Sequence, residues 1–283
     1  MISSTLGFAV QLYSSFRGVQ SIGRVLRGYV LPFSNMAAVK AKKNFNTRHL
    51  KKGDPLPPFT KLRVFNMRFC PFAHRTILAL IAKDLDFEVV NVDLVDKPEW
   101  LIRKSTTGKV PALEILEGMS IYESLATVAH LDGMHPQRPL RTKDPVLNAK
   151  DDVIVKAIEN VHNLFFKLVK SPETINDQDI AAYFKTLDLI QDELKQRGTK
   201  FLDGDQPGYA DYMIWPWFEK LISIDHDITK IDKQKYSLLS AYIDNMLQDP
   251  VVLEYIIPKE KLKEFVKSYT SGPKPNYDLL LEN

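Results

Sequence analysis

From Lys61 to Asn66 the chain reads Lys-Leu-Arg-Val-Phe-Asn, an alternation of polar and apolar positions that predicts a strand. Residues 71–83, PFAHRTILALIAK, follow as a helix, with Pro71 in the first turn, where a missing N–H costs nothing. A second strand is predicted over 87–92 and a short helix from Pro98. Paired strands over 111–116 and 119–122 turn at EGMS, and a helix over 124–132 closes the unit. The order is βαβαββα, a compact α/β domain.

Beyond the Pro-punctuated GMHPQRPLRTKDP the period changes. Leu147, Ile154, Ile158, Val161, Phe165 and Leu168 recur at three- and four-residue spacing, the stripe of a long helix with one buried face. Ile180, Phe184, Leu187, Gln191 and Leu194 repeat the pattern until Gly198. Helices are predicted over 145–170, 177–197, 209–224 and 235–248, with one or two more at the C-terminus. The expected organisation is an extension over 1–53, an α/β domain over 54–134, a linker over 135–143 and an all-helical domain over 144–283.

Charge separates the extension from the rest. Residues 1–53 carry nine Lys and Arg and no acid, leaving residues 54–283 with 29 of the 38 basic side chains against all 35 acidic ones, a net charge of −6. An acidic body argues against a nucleic-acid partner. The Ser-rich, Arg-bearing SSFRGVQSIGRVLRGYVLPF has the pattern of a mitochondrial transit peptide rather than a secretory signal, with a plain disordered tail as the alternative. Met36 offers an alternative start that omits most of it. The expected location is cytoplasmic, with a mitochondrial alternative through the extension. No apolar run is long enough to span a bilayer.

Cys70 is the only cysteine in 283 residues, so no internal disulfide can form. The strand-then-helix reading puts it at the N-terminus of the first helix, in MRFCPFAHR. First-turn N–H groups lack intrahelical partners and carry partial positive charge, which is expected to pull the thiol below its free pKa of roughly 8.5. A nucleophilic thiol without a resolving partner can form a mixed disulfide but cannot release it within the chain. A small thiol must do so, and glutathione is the abundant one.

MRFCPFAHR, DKPEW, GKVPALE, IYES and DYMIWPWFEKL, spaced along residues 54–283, together resemble the omega-class glutathione transferases, insect members in particular. The resemblance implies a thioredoxin-like N-terminal domain, an all-helical C-terminal domain, glutathione as cosubstrate and a homodimer. It assigns Cys70 as the catalytic nucleophile, and Phe72, Lys97, Val110, Glu123 and Ser124 to glutathione. Lys97 meets the glycine carboxylate, and Val110 pairs through its backbone beside a cis-Pro111. Glu123 and Ser124 hold the γ-glutamyl end. Pro71, Lys220, Leu262 and Tyr269 line the pocket for the second substrate, a small electrophilic or oxidised acceptor. The implied chemistry is thiol transfer and reduction of the dehydroascorbate, methylarsonate or deglutathionylation type, with pyrimidodiazepine synthesis among insect relatives.

The sequence departs from the family pattern in places. Lys220 and Leu262 stand where some relatives carry Arg and Trp, so acceptor preference does not transfer. Ser105-Thr106 replaces Asn-Pro before the cis-proline, and Gly208 replaces a hydroxyl N-cap, which shifts capping onto Asp211. His74, one turn after Cys70, would support a thiolate if it faced the same way; an exposed spectator is the plainer expectation. Trp215 and Trp217, either side of Pro216, are read as core. No His/Asp/Glu cluster has metal-ligand spacing. Two other readings keep the fold: a non-catalytic interaction module of the glutathione-transferase type, and a chloride intracellular channel-like protein, whose membrane insertion is opposed by Arg75, Lys83 and Asp84.

Overall fold

A computed structural model describes residues 43–271 and 274–281. The transit-like segment and Met36 lie outside the described residues. The compact body begins at Asn44, so the expected boundary at residue 53 moves back to 43. Leu50 bridges Val92 in parallel, with Leu50 N donating to Asn91 O at 2.8 Å and Asp93 N donating to Leu50 O at 2.8 Å. Phe45 is buried edge-on against the Tyr255 ring at 4.9 Å. A few apolar residues among many charges are enough to hold a segment that has no period of its own.

The α/β half runs β1 (Arg63–Asn66), α1 (Pro71–Ala82), β2 (Glu88–Asn91), α2 (Leu101–Lys104), β3 (Ala112–Leu116), β4 (Met119–Tyr122) and α3 (Ser124–Met134), the predicted βαβαββα order. The sheet order is β2-β1-β3-β4, with β1 and β2 parallel and the other two pairs antiparallel. All four residues of β1 are buried, as a central strand covered on both faces requires. Its Arg63 is neutralised by Glu88 at 2.8 Å and Glu114 at 3.4 Å.

The helical half comprises α4 (Pro145–Lys170), α5 (Asp177–Arg197), α6 (Tyr209–Ile224), α7 (Ser237–Met246), α8 (Pro250–Tyr255) and α9 (Lys259–Ser271). Asp144 caps α4 by accepting from the N–H groups of Val146 and Leu147. Asn176 and Asp179 form a capping box at the start of α5, and Gly198 ends it at φ +63°. Asp211 does take over the capping of α6, accepting from Gly208 N at 2.9 Å and Leu202 N at 3.0 Å. Glycine at 208 has a positive reason: a Cβ there would collide with the Asp203 side chain.

The connector 135–143 is pinned rather than free: Leu140 is buried, donates to Asp132 and accepts from Tyr209 N at 2.8 Å. Helix α1 packs against α3 on one side and against α6 and α8 on the other. One core therefore runs through both halves, from Val64 and Ile77 to Ile154 and Trp215. A second lies across the opposite face of the sheet, where Phe65, Phe69 and Val110 meet Leu262, Phe265 and Tyr277. Among the described residues no helix is long and apolar enough to cross a membrane.

Candidate active site

Cys70 occupies the N-cap of α1 in extended backbone geometry, with Pro71 at the first helical position. Its Sγ lies 3.9 Å from the carbonyl oxygen of Val110, to which the thiol donates. The Val110–Pro111 bond is cis, as expected. A cleft of about 120 Å³ opens beside this pair, lined by Phe72, Ser105, Thr107, Lys109, Val110, Pro111, Glu123 and Ser124. Four of the five residues expected to hold glutathione thus meet at one opening.

The fifth, Lys97, is exposed and does not line the cleft. Its ammonium flanks the loop that does, since a methyl group built on Gly108 would stand 3.7 Å from Lys97 Nζ. Glu123 has φ +70°, a left-handed conformation that a non-glycine residue adopts at a cost. That turn drives β4 directly into α3, so Ser124 becomes the first residue of the helix and its N–H and hydroxyl are available to an anion.

The thiol itself departs from expectation. Burial pushes the Cys70 pKa up. This outweighs the backbone N–H groups of Ala73 and Phe72 and the cations Lys220 and Arg75, all of which pull it down. The helix terminus acts in the predicted sense and loses to desolvation.

His74 is neither an exposed spectator nor an imidazolium. It is buried, edge-on to the Tyr255 ring at 4.7 Å, and burial with the charges of Lys220 and Arg68 holds its pKa well below the ordinary value. Its Nδ1 lies 3.5 Å from Glu219 Oε2. Burial raises the Glu219 carboxyl in turn, so this contact joins two groups that resist charging and is no salt bridge.

The four residues expected to line an acceptor pocket are largely covered in this structure. Leu262 is 0% exposed, Lys220 3%, Pro71 is buried and only Tyr269 is half-buried. Leu262 and Tyr269 pack with Phe265, which stacks on Phe69 at 3.8 Å and meets the Tyr269 ring edge-on at 5.1 Å. Lys220 Nζ has no hydrogen-bond partner, and burial lowers its pKa.

A second cavity, of about 340 Å³, lies on the far side of Phe72 and is lined by residues that include Arg75, Val155, Glu159, His162 and Trp217. Trp215 and Trp217 are buried, as expected; Trp217 also donates to His162 Nδ1 at 3.1 Å and carries Arg75 over its ring at 4.3 Å. Burial, with Arg75 nearby, drops the His162 pKa to about 4. Sequence reasoning passed over Arg75, Thr107 and Lys109. The available sign for Arg75 was a cation set in the otherwise apolar face of α1. Among the described residues no group of His, Cys, Asp and Glu is placed to hold a metal.

Comparison with known proteins bears on the fold and the family. The family model for the glutathione S-transferase N-terminal domain matches residues 64–139, and that for the C-terminal domain matches residues 173–245. Pyrimidodiazepine synthase of Drosophila melanogaster is 36% identical over 247 residues, covering 84% of this chain and 99% of the relative. Glutathione S-transferase omega-1 of Mus musculus is 33% identical over 231 residues, covering 79% and 93%. Among solved structures, glutathione transferase Omega 3C of Trametes versicolor superposes with a TM-score of 0.64 at 22% identity, covering 75% of this chain and 91% of that one. The dehydroascorbate reductase of Chlamydomonas reinhardtii does so at 0.60 and 21%, covering 71% and 95%. These two likenesses speak to the fold. With both halves of the glutathione S-transferase fold matched and omega-class relatives aligned across nearly their whole length, the chain belongs to the omega class of the glutathione S-transferases, and it is an enzyme of that family.

Proposed function

We propose that the chain is a glutathione-dependent thiol transferase and reductase that works through a mixed disulfide on Cys70. The observation that carries this reading is the position of Cys70, the only thiol in the chain, at the N-cap of α1 and against Val110 at the edge of the cleft. The Cys70 thiolate attacks the glutathione sulfur of a glutathionylated acceptor. The old S–S bond breaks, the acceptor leaves as a thiolate that takes up a proton, and a Cys70–glutathione disulfide remains. A second glutathione thiolate attacks the glutathione sulfur of that disulfide, releasing glutathione disulfide and restoring Cys70. One disulfide is reduced and two glutathione units are joined, so the electrons balance.

In this reading Val110, Glu123 and Ser124 hold glutathione along the cleft with Phe72 as its wall, and Lys97 pairs with the glycine carboxylate from the rim. Glutathionylated thiols are the acceptors of this cycle; dehydroascorbate and methylarsonate would each take two electrons from two glutathione thiols, which leave as glutathione disulfide, with water lost from the arsonate. The name of the Drosophila relative adds pyrimidodiazepine synthesis. The acceptor enters between Pro71 and the Lys220, Leu262 and Tyr269 layer, which must part to admit it. A homodimer located in the cytoplasm, or in mitochondria by way of the extension, completes the proposal.

Intact mass after exposure to glutathione disulfide tests the reading. One glutathione should add to the wild type and none to Cys70→Ala. A folded wild type that takes up no glutathione at neutral or alkaline pH overturns the mechanism on Cys70.

A further inference from the structure

Arg75 is 5% exposed, yet its side-chain hydrogen bonds among the described residues go to no carboxylate. Its fork is spent on two neutral acceptors: Nε donates to the carbonyl of Met213 in α6 at 2.7 Å, and Nη1 donates to Ser124 Oγ, the first side chain of α3, at 3.3 Å. The guanidinium rests over Trp217 at 4.3 Å. A buried cation is expensive unless an opposite charge answers it, and burial lowers the pKa of Arg75 to about 10. Glu159, the one carboxylate lining the second cavity that Arg75 senses, lies beyond ion-pair distance. Toward the cleft the first polar atom is Ser124 Oγ.

We propose that Arg75 is a positioning residue that, through Ser124, makes the cleft select a ligand bearing a carboxylate beside that hydroxyl; this rests on the reading of the cleft as the glutathione site. A serine hydroxyl has one proton and two lone pairs. Because Arg75 occupies a lone pair from behind, the Oγ proton is directed forward into the cleft, and the hydroxyl is polarised into a stronger donor. The anion that accepts it supplies the countercharge the guanidinium lacks. Thr127 Oγ1, itself 2.7 Å from Thr76 Oγ1, donates to the Ser124 carbonyl at 2.8 Å and holds the turn in place. In glutathione the carboxylate in question is that of the γ-glutamyl end. Lysine could replace arginine only in part here, because a single ammonium cannot reach both Met213 and Ser124 in the same fixed plane.

The test is a cycle between Arg75 and the ligand carboxylate, read by calorimetric titration of the reduced full-length chain. The probes are glutathione and γ-aminobutyryl-cysteinyl-glycine, which lacks only that carboxylate. Wild type should prefer glutathione by about 30-fold, the scale of a charge-assisted hydrogen bond. Arg75→Gln should bind the two ligands within about threefold of each other, and Arg75→Lys should recover part of the preference. If Arg75→Gln does not fold, Arg75→Lys alone decides, by whether the preference shrinks. Equal losses for both ligands, with the preference intact, would mean that Arg75 only holds the fold and would overturn the inference while sparing the glutathione reading. A wild type that binds neither probe overturns both.

Discussion

Cys70 Sγ lies 3.9 Å from the carbonyl oxygen of Val110, under the same residue that lines the cleft. The thiol is thus a donor to a neutral oxygen in a buried place, and burial raises its pKa over the opposing pull of backbone N–H groups and cations. A group whose folded pKa is raised resists ionisation as pH climbs. In the ligand-free protein, alkylation of Cys70 by iodoacetamide should therefore rise with pH to a midpoint above the free-thiol value of about 8.5. Mass spectrometry across pH 6 to 11 reads this directly, and a midpoint well below 8 would contradict it.

Around pH 6.5 His74 should contribute no inflection to that profile, because burial and the charges of Lys220 and Arg68 hold its pKa well below the ordinary value. His74→Gln is expected to leave the shape of the alkylation curve there unchanged. A wild-type inflection near pH 6.5 that vanishes in the variant would restore the imidazolium role.

Phe45 offers a test of where the fold starts. Its ring is buried against Tyr255 and Phe87, outside the boundary that charge and composition suggested. Phe45→Ala should cost about 3 to 5 kcal/mol in denaturant unfolding, as large-to-small changes in a packed core do. A cost under about 1 kcal/mol would make the segment an ornament on the surface.

At the start of α6, Gly208→Ala should be destabilising by roughly 1 to 3 kcal/mol, since the new Cβ meets the Asp203 side chain near its root, where rotation gives little relief. Asp211→Ala should cost about as much, because Asp211 accepts from the N–H groups of Gly208, Leu202 and Asp203. Thermal unfolding of the two variants checks both, and a neutral Gly208→Ala would refute the steric account.

Much of this was legible because α/β order, helix stripes and a Pro after a lone Cys are local features. Val110, Glu123 and Ser124 could be placed by motif and line one cleft, with Cys70 against Val110 beside it. What a motif does not carry is depth. Helix α1 is covered by the sheet, α3, α6 and α8, so His74 and Arg75 point into protein whichever way a helical wheel is turned. Lys220 and Leu262 could be matched to acceptor-pocket positions, but motif does not show that both are buried, Leu262 in a cluster with Phe69 and Phe265, whose stacked rings are far apart in the chain.

Lys220 joins these threads. It is buried, its Nζ has no hydrogen-bond partner, and its charge is one of the influences that lower the Cys70 pKa. An interior ammonium without a hydrogen-bond partner opposes folding even with Glu219 near enough to favour its charge, and a thiolate is what it is also placed to favour. Lys220→Met fills much the same volume without the charge. It should therefore melt no lower than wild type, move the Cys70 alkylation midpoint further up, and slow glutathione-dependent reduction by about tenfold at pH 7. The affinity for glutathione should stay within about twofold, because Lys220 does not line the cleft. Stability and thiol reactivity would then move in opposite directions on removal of one charge. A variant that loses stability while keeping the wild-type alkylation midpoint would show that Lys220 is structural and that Cys70 takes its reactivity from the helix terminus alone.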